Sequence, residues 1–354
     1  MQDLFFDLLQ VTVGTRDALS WAPSSLEWKD LYEEGKRQAV DCIMLDGIER
    51  LPENQRPPKV MLLQWIGSGE MLKHRNQHLN KTCIEIQAIF TKNEFKRSCI
   101  LKGQGNALLY PNPMLRQCGD IDIWVDGDRG KLLDFLRKSG QVGHIDIKHC
   151  DWIIFQDTPV EVHFIPTWFY NPFTNKKLQN WYEEQKDIQF NNESELDFTR
   201  PTIFFNLVYV LIHIYRHLFD EGIGLRQLMD YFYVVKHSTL EERQEAQKFL
   251  CSLKMRRFVG AVMYVLQEVF KLDDDFLMCQ PLQKDGQFLL NEIMRAGNFG
   301  HYDERSHRQQ GRLANGIENI RRNLRFVGRY PQEVCWMPAW KIWHWCWRKR
   351  KGYL

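Results

Sequence analysis

Gly119-Asp120-Ile121-Asp122-Ile123-Trp124-Val125 joins β-branched and aromatic residues to two aspartates spaced two apart. That composition favours a strand. Side chains on a strand alternate between faces, so Asp120 and Asp122 share one face and Ile121 and Ile123 turn to the core. Two carboxylates held side by side repel, which raises their pKa values unless a cation neutralises them. Mg²⁺ or Mn²⁺, which prefer oxygen ligands, would supply that charge. Pro159-Val160-Glu161-Val162-His163-Phe164 repeats the alternation, with Glu161 and His163 on one face. If this strand lies beside the first, Glu161 becomes a third carboxylate of the cluster. Three carboxylates can hold two metal ions for in-line displacement at phosphorus, and the outermost can take a proton from the attacking hydroxyl.

Upstream, Leu101-Lys102-Gly103-Gln104-Gly105-Asn106 reads as a strand entering a turn and a short helix. Backbone N–H groups at such a helix start can hold phosphate oxygens, with Lys102 adding charge. Strands are predicted at about 145–149, 152–156 and 159–165, and Asp128 caps a helix over 129–139. Residues 171–200 read as a polar connection. Helices are predicted over Leu26–Gly47, over 59–95 with an interruption at Gly67 or Gly69, and in five segments from Pro201 to Met294. The fold class is therefore α+β: a small mixed-sheet core at 96–190, an N-terminal helical region at 1–95 and a C-terminal helical region at 195–354. The length of 354 residues agrees with about two or three domains at a prior of ~150 residues each.

The formal net charge is +2, from 47 basic and 45 acidic residues, which argues against an extensive nucleic-acid surface. Nine cysteines, an odd number with no CxxC pair, read as reduced thiols of a cytoplasmic protein. The most apolar stretch, Ile203–Phe219, carries Asn206, His213, Arg216 and His217, so a buried helix is expected there and not a membrane span.

Lys102-Gly103, then Tyr110-Pro111-Asn112-Pro113 with Arg116, then Gly119-Asp120-Ile121-Asp122 and the later Glu161, resemble the polymerase-β-type nucleotidyltransferase superfamily. Within it they resemble a largely uncharacterised bacterial group, nucleotidyltransferase family five. Glu221-Gly222-Ile223-Gly224-Leu225-Arg226-Gln227-Leu228-Met229-Asp230 and Arg329-Tyr330-Pro331 look like further motifs of that group. Gln104 follows Gly103 where the superfamily usually has Ser or Gly. The resemblance implies a metal-dependent enzyme with Mg²⁺ or Mn²⁺ as cofactor and a nucleoside triphosphate such as ATP as substrate. It would transfer a nucleoside monophosphate to a hydroxyl of an unidentified small-molecule or protein acceptor. Asp120, Asp122 and Glu161 would be the catalytic and metal-binding residues. Lys102, Gly103, Gln104, Gly105, Arg116, Arg226 and Asp230 would bind the nucleotide. Transfer of a terminal phosphoryl group from the same site, and a catalytically silent binding or regulatory protein on the same fold, are the alternatives.

Several features have plainer readings beside the functional ones. Arg116 either grips a triphosphate or pairs with a nearby acid, and Arg226 and Asp230, four apart, also suit a surface ion pair. His213 and His217 form an HxxxH pair without the Glu of HExxH, which points to core or cleft-lining histidines and not to zinc. Trp336, Trp340, Trp343 and Trp347 fall on one helical stripe followed by Arg348-Lys349-Arg350-Lys351. A helix packed on the protein body is the expectation here; contact of 336–351 with a membrane surface is the competing one.

Overall fold

In the computed structural model, which describes residues 1–305 and 312–353, five short strands form one sheet. They are β1 (Ser98–Ile100), β2 (Ile121–Val125), β3 (Gln141–Ile145), β4 (His149–Ile153) and β5 (Val160–His163), in the order β1-β2-β5-β4-β3. Only β2 and β5 run parallel; the other neighbours are antiparallel. The sheet with its flanking helices makes the fold α+β, as the sequence predicts.

Asp146 explains why two strands are displaced from their predicted positions. Its side chain accepts the backbone N–H groups of Lys148 and His149 at 2.7 and 2.9 Å, which turns the chain where a strand over 145–149 was expected. The strands therefore end before the turn and resume at His149.

The sheet belongs to a unit made of His78–Asn106, Gly119–Asp220 and Arg305–Leu354. One sheet face is apolar. Ile121, Ile123, Cys150, Trp152, Val160 and Val162 lie on it, all buried, with Leu132, Leu133 and Leu136 of the Arg129–Ser139 helix also in the core. Phe90 and Phe135 pack on Trp152 with ring centroids 5.4 and 6.2 Å away. The opposite face carries Asp122, Trp124, Glu161 and His163. Trp124 is covered by Phe190 and Phe205, from the Pro172–Phe190 and Ile203–Asp220 helices.

The Pro172–Phe190 helix replaces the expected polar connection. Asn171 caps it by accepting from the N–H of Phe173, Pro172 occupies the first turn, and Leu178, Trp181 and Tyr182 are buried at helical steps. Its many surface polar residues hid those three anchors.

The second unit comprises Met1–Gln77, Ala107–Cys118 and Glu221–Glu304, and its described elements are helical. The Gln2–Val13 helix is buried almost throughout. Gly47, in the Met44–Arg50 helix, comes so close to it that a Cβ would lie 2.3 Å from Thr12 Oγ1. The predicted Leu26–Gly47 helix is two, Ser25–Gln38 and Met44–Arg50, because Ala39 takes a left-handed conformation (φ 55°) and stops the first. The Lys59–Lys92 helix, in contrast, is uninterrupted at Gly67 and Gly69.

In the sheet-bearing unit a buried charge cluster fixes the segment before the last helix. Glu333 accepts the N–H of Tyr170 at 2.8 Å and lies 3.3 Å from Arg216, which also pairs with Asp220 at 2.8 Å. The Arg216 guanidinium lies 3.9 Å from the ring centroids of both Trp168 and Tyr170. Burial pushes the Glu333 carboxyl up to about 7, although Arg216 pulls the other way. The folded state thus holds this proton more tightly than the unfolded chain, whose carboxyl titrates near 4.5. Glu333 is expected to cost stability progressively as pH rises from about 4.5 through about 7. Urea unfolding of wild type and Glu333→Gln at several pH values checks this: their stability difference should shift by about 3 kcal/mol toward the variant across that window.

Candidate metal and phosphate-chemistry site

The parallel pairing of β2 with β5 sets Asp122 directly opposite Glu161. Asp120, just before β2, completes a group whose ligand oxygens all lie within 4.8 Å of one another. Asp122 is buried, while Asp120 and Glu161 are half-buried. The three predicted carboxylates therefore converge, on the face that strand alternation assigns them.

Four basic side chains surround them. Lys102 Nζ lies 2.8 Å from Asp122 Oδ2. His163 Nε2 lies 2.9 Å from Asp122 Oδ1 and 3.4 Å from Glu161 Oε2. Because an ionised carboxylate only accepts, the proton of this contact sits on Nε2. Lys148 Nζ and His149 Nδ1 lie 3.5 and 3.6 Å from Glu161 Oε2. The His149 and His163 rings stack with centroids 5.4 Å apart. His149, Glu161 and His163 form a second group able to converge on one cation.

The charges sort the three acids. The Asp122 charge raises the Asp120 carboxyl above its ordinary value, with Lys102 opposing it. Burial would raise Asp122, but Lys102 and His163 hold it below the ordinary carboxylate range. Burial likewise opposes ionisation of Glu161, yet Lys148, His163 and His149 keep it far below that range. His163 is raised: burial and Lys148 disfavour its proton, but the bonds to Asp122 and Glu161 outweigh them.

Gly103 sits at the end of the loop from β1 with φ +56°, a conformation that L side chains rarely adopt. That turn brings Lys102 to Asp122. Its neighbour Gln104 is buried and donates to Asn80 Oδ1 at 2.6 Å, and the Gly105 N–H goes to the Lys102 carbonyl.

The other predicted nucleotide contacts belong to the helical unit. Arg116 meets Asp230 in a buried fork, Nε to Oδ1 and Nη2 to Oδ2, each 2.7 Å. Tyr110 donates to the same carboxylate at 2.7 Å. Arg226 donates to the Gln117 carbonyl at 3.1 Å and lies over the Phe299 ring.

Residues 24–271, about seven-tenths of the chain, match a family described as an uncharacterised nucleotidyltransferase. The chain belongs to that family. No curated protein and no solved structure matches it. All the site residues above fall inside the matched span of this nucleotidyltransferase-family domain, whereas the tryptophan-rich C-terminal helix falls outside it. Among the described residues no helix is long and apolar enough to cross a membrane.

Lys148, His149 and Tyr209 were not legible as site residues. Lys148 and His149 reach Glu161 only through the antiparallel pairing of β4 with β5. Tyr209, in the Ile203–Asp220 helix, is fully buried; burial and then the charges of Asp122, Glu161 and Asp120 push its phenol well up. His213, one turn on, is buried and held well below its ordinary value by desolvation and then Lys102. Of the core or cleft-lining pair expected from the sequence, His213 is buried and His217 half-buried.

Removing Asp230 strands a buried guanidinium. Asp230→Ala is expected to lose about 3–5 kcal/mol in urea unfolding, and a paired apolar replacement, Arg116→Met with Asp230→Leu, should lose much less. Equal losses in both variants would show that the stranded guanidinium is not what destabilises Asp230→Ala.

Proposed function

We propose that the chain transfers a nucleoside monophosphate from a nucleoside triphosphate to a hydroxyl of an acceptor, using Asp120, Asp122 and Glu161. The observation that carries this reading is the convergence of three carboxylates from two parallel strands. The donor set fits a hard divalent cation. It is all oxygen, and Asp120 is raised chiefly by its neighbour Asp122, which is the repulsion that such an ion relieves. Asp120, Asp122 and Glu161 would hold Mg²⁺ or Mn²⁺, which when bound supplies Lewis-acid charge to the reacting phosphate.

The chain's own residues do the rest. Lys102, beside the turn at Gly103 and Gln104, offers positive charge to the triphosphate; the Gly105 N–H, bonded to the Lys102 carbonyl, holds the turn itself. Lys148 adds charge beside Glu161. A cavity of about 460 Å³ opens at Asp120 and Glu161, walled by Asp151, Ile153, Phe155 and Asp157. Among the described residues its lining has acids and no lysine or arginine, so a triphosphate is repelled there and the acceptor suits it better. Of the two cluster carboxylates facing this cavity, Asp120 is raised by the Asp122 charge, whereas Glu161 is held anionic by Lys148 and the histidines. Terminal phosphoryl transfer would use the same groups.

A second reading has its own observation. Lys102 and His163 already balance Asp122, as in a protein that keeps the fold without the chemistry. Titration calorimetry separates the two. Binding of Mn²⁺ that Asp120→Ala/Asp122→Ala abolishes supports the enzyme, and absence of heat with Mn²⁺ and with nucleotide supports the silent protein. In assays with labelled nucleoside triphosphates and candidate acceptors, the same double variant is expected to lose about a hundredfold or more of transfer. Unchanged transfer would refute the assignment.

A further inference from the structure

The Met337–Lys351 helix is a short amphipathic element whose two sides do different things. Its inner side is packed. Met337 is buried, Trp340 stacks on Trp168 at 4.0 Å with the rings 8° from parallel, and Trp347 lies under the Arg129 guanidinium at 4.9 Å. This agrees with the expected packing on the protein body. The stripe of four tryptophans, however, lies at the edge of that contact, so Trp336 and Trp343 turn outward while Trp340 and Trp347 turn in.

The outer side is apolar and then basic. Trp336, Ala339, Ile342, Trp343 and Cys346 are exposed at helical spacing, and the same side ends in exposed Lys349 and Arg350. Ile342 is 67% exposed and Trp343 48%. The patch continues across to the Pro172–Phe190 helix, where Phe173 is 75% exposed and its ring lies 6.0 Å from that of Trp336. A groove of about 430 Å³ runs beside the patch, lined by Tyr170, Lys176, Trp336, Trp340 and Trp343. Lys176 and Lys177 are exposed at this edge, so cations flank the apolar area from both helices.

We infer that this face docks on an anionic lipid bilayer, lying in the interface plane and not spanning it. Indole rings prefer the headgroup boundary, where an apolar body and an N–H are both satisfied. Exposed apolar side chains gain by entering the acyl boundary, and cations at the rim meet anionic headgroups. A nucleic acid would favour cations interleaved with the rings throughout; here Trp336 and Trp343 lie among exposed Ala339, Ile342 and Phe173, and the cations rim that area at Lys176 and at Lys349, which lies over the Trp345 ring at 5.3 Å. Charge complementarity therefore selects an anionic bilayer over a neutral one.

The test is flotation of the full-length protein with vesicles of phosphatidylcholine alone and of phosphatidylcholine with phosphatidylserine. Binding is expected only with phosphatidylserine and should weaken as salt is raised. Lys349→Gln with Arg350→Gln and Lys351→Gln should cut the partition coefficient roughly a hundredfold, at about tenfold or less per cation. Ile342→Ser with Trp343→Ser should cut it at least tenfold, on the order of the burial of one large apolar side chain. Val60→Ser, 81% exposed at the start of the Lys59–Lys92 helix, should have little effect. All substituted side chains are exposed, and unchanged circular dichroism melts confirm that the variants fold. The inference is overturned by absence of flotation with either vesicle, or by flotation that the first two variants leave intact. It is equally overturned if, without flotation, the same substitutions dissolve a dimer in sedimentation or abolish binding of a single-stranded oligonucleotide. Vesicle binding needs no nucleotide, so its outcome is independent of the transferase reading.

Discussion

Two like charges facing each other across a parallel strand pair set the terms for the rest of this site. Asp122 and Glu161 are registered neighbours, and Asp120 adds a third carboxylate beside them. Such a grouping inside a protein persists only with counter-charge. The chain supplies it from three places: the turn after β1 brings Lys102, the start of β4 brings Lys148 and His149, and β5 itself brings His163. Each of these elements is held by the sheet, so the charge balance is a property of the strand order.

The same sheet explains why the site is stiff on one side and polar on the other. Its apolar face is filled by aliphatic residues and by Trp152 with Phe90 and Phe135. Its opposite face divides along β2, where Trp124 goes to the helical layer while Asp122 goes to the charge cluster. Tyr209 and His213, buried beside that cluster, carry no countercharge at neutral pH, because burial keeps the phenol protonated and the imidazole neutral. They close the site with apolar bulk and leave its electrostatics to the lysines and His163.

In the helical unit, the fork between Arg116 and Asp230, with Tyr110 on the same carboxylate, is a buried ion pair of good geometry. In the sheet-bearing unit the Arg216, Asp220 and Glu333 cluster has a comparable role, tying the segment before the last helix to the start of the Pro172–Phe190 helix. Both clusters join residues more than a hundred positions apart; the Arg116–Asp230 fork does so through paired charge, and Glu333 does so through its hydrogen bonds to the Tyr170 N–H and Arg216.

Local patterning alone determined the α+β class, the strand at 121–125, the shared face of Asp120 and Asp122, and the shared face of Glu161 and His163. Those are consequences of a two-residue period, which any short segment displays by itself. It also placed the helix after Asp128. It misread 171–200, where Leu178, Trp181, Tyr182, Phe190 and Phe198 are buried but outnumbered by surface polar residues, and it misplaced β3 and β4 around the Asp146 turn. Only the tertiary structure decided that β5 lies parallel against β2, that β4 brings Lys148 and His149 to Glu161, and that Arg116 forks onto Asp230. The physical reason is that pairing register and buried charge partners are non-local. They depend on which distant segments come together, and no spacing within one segment encodes that choice.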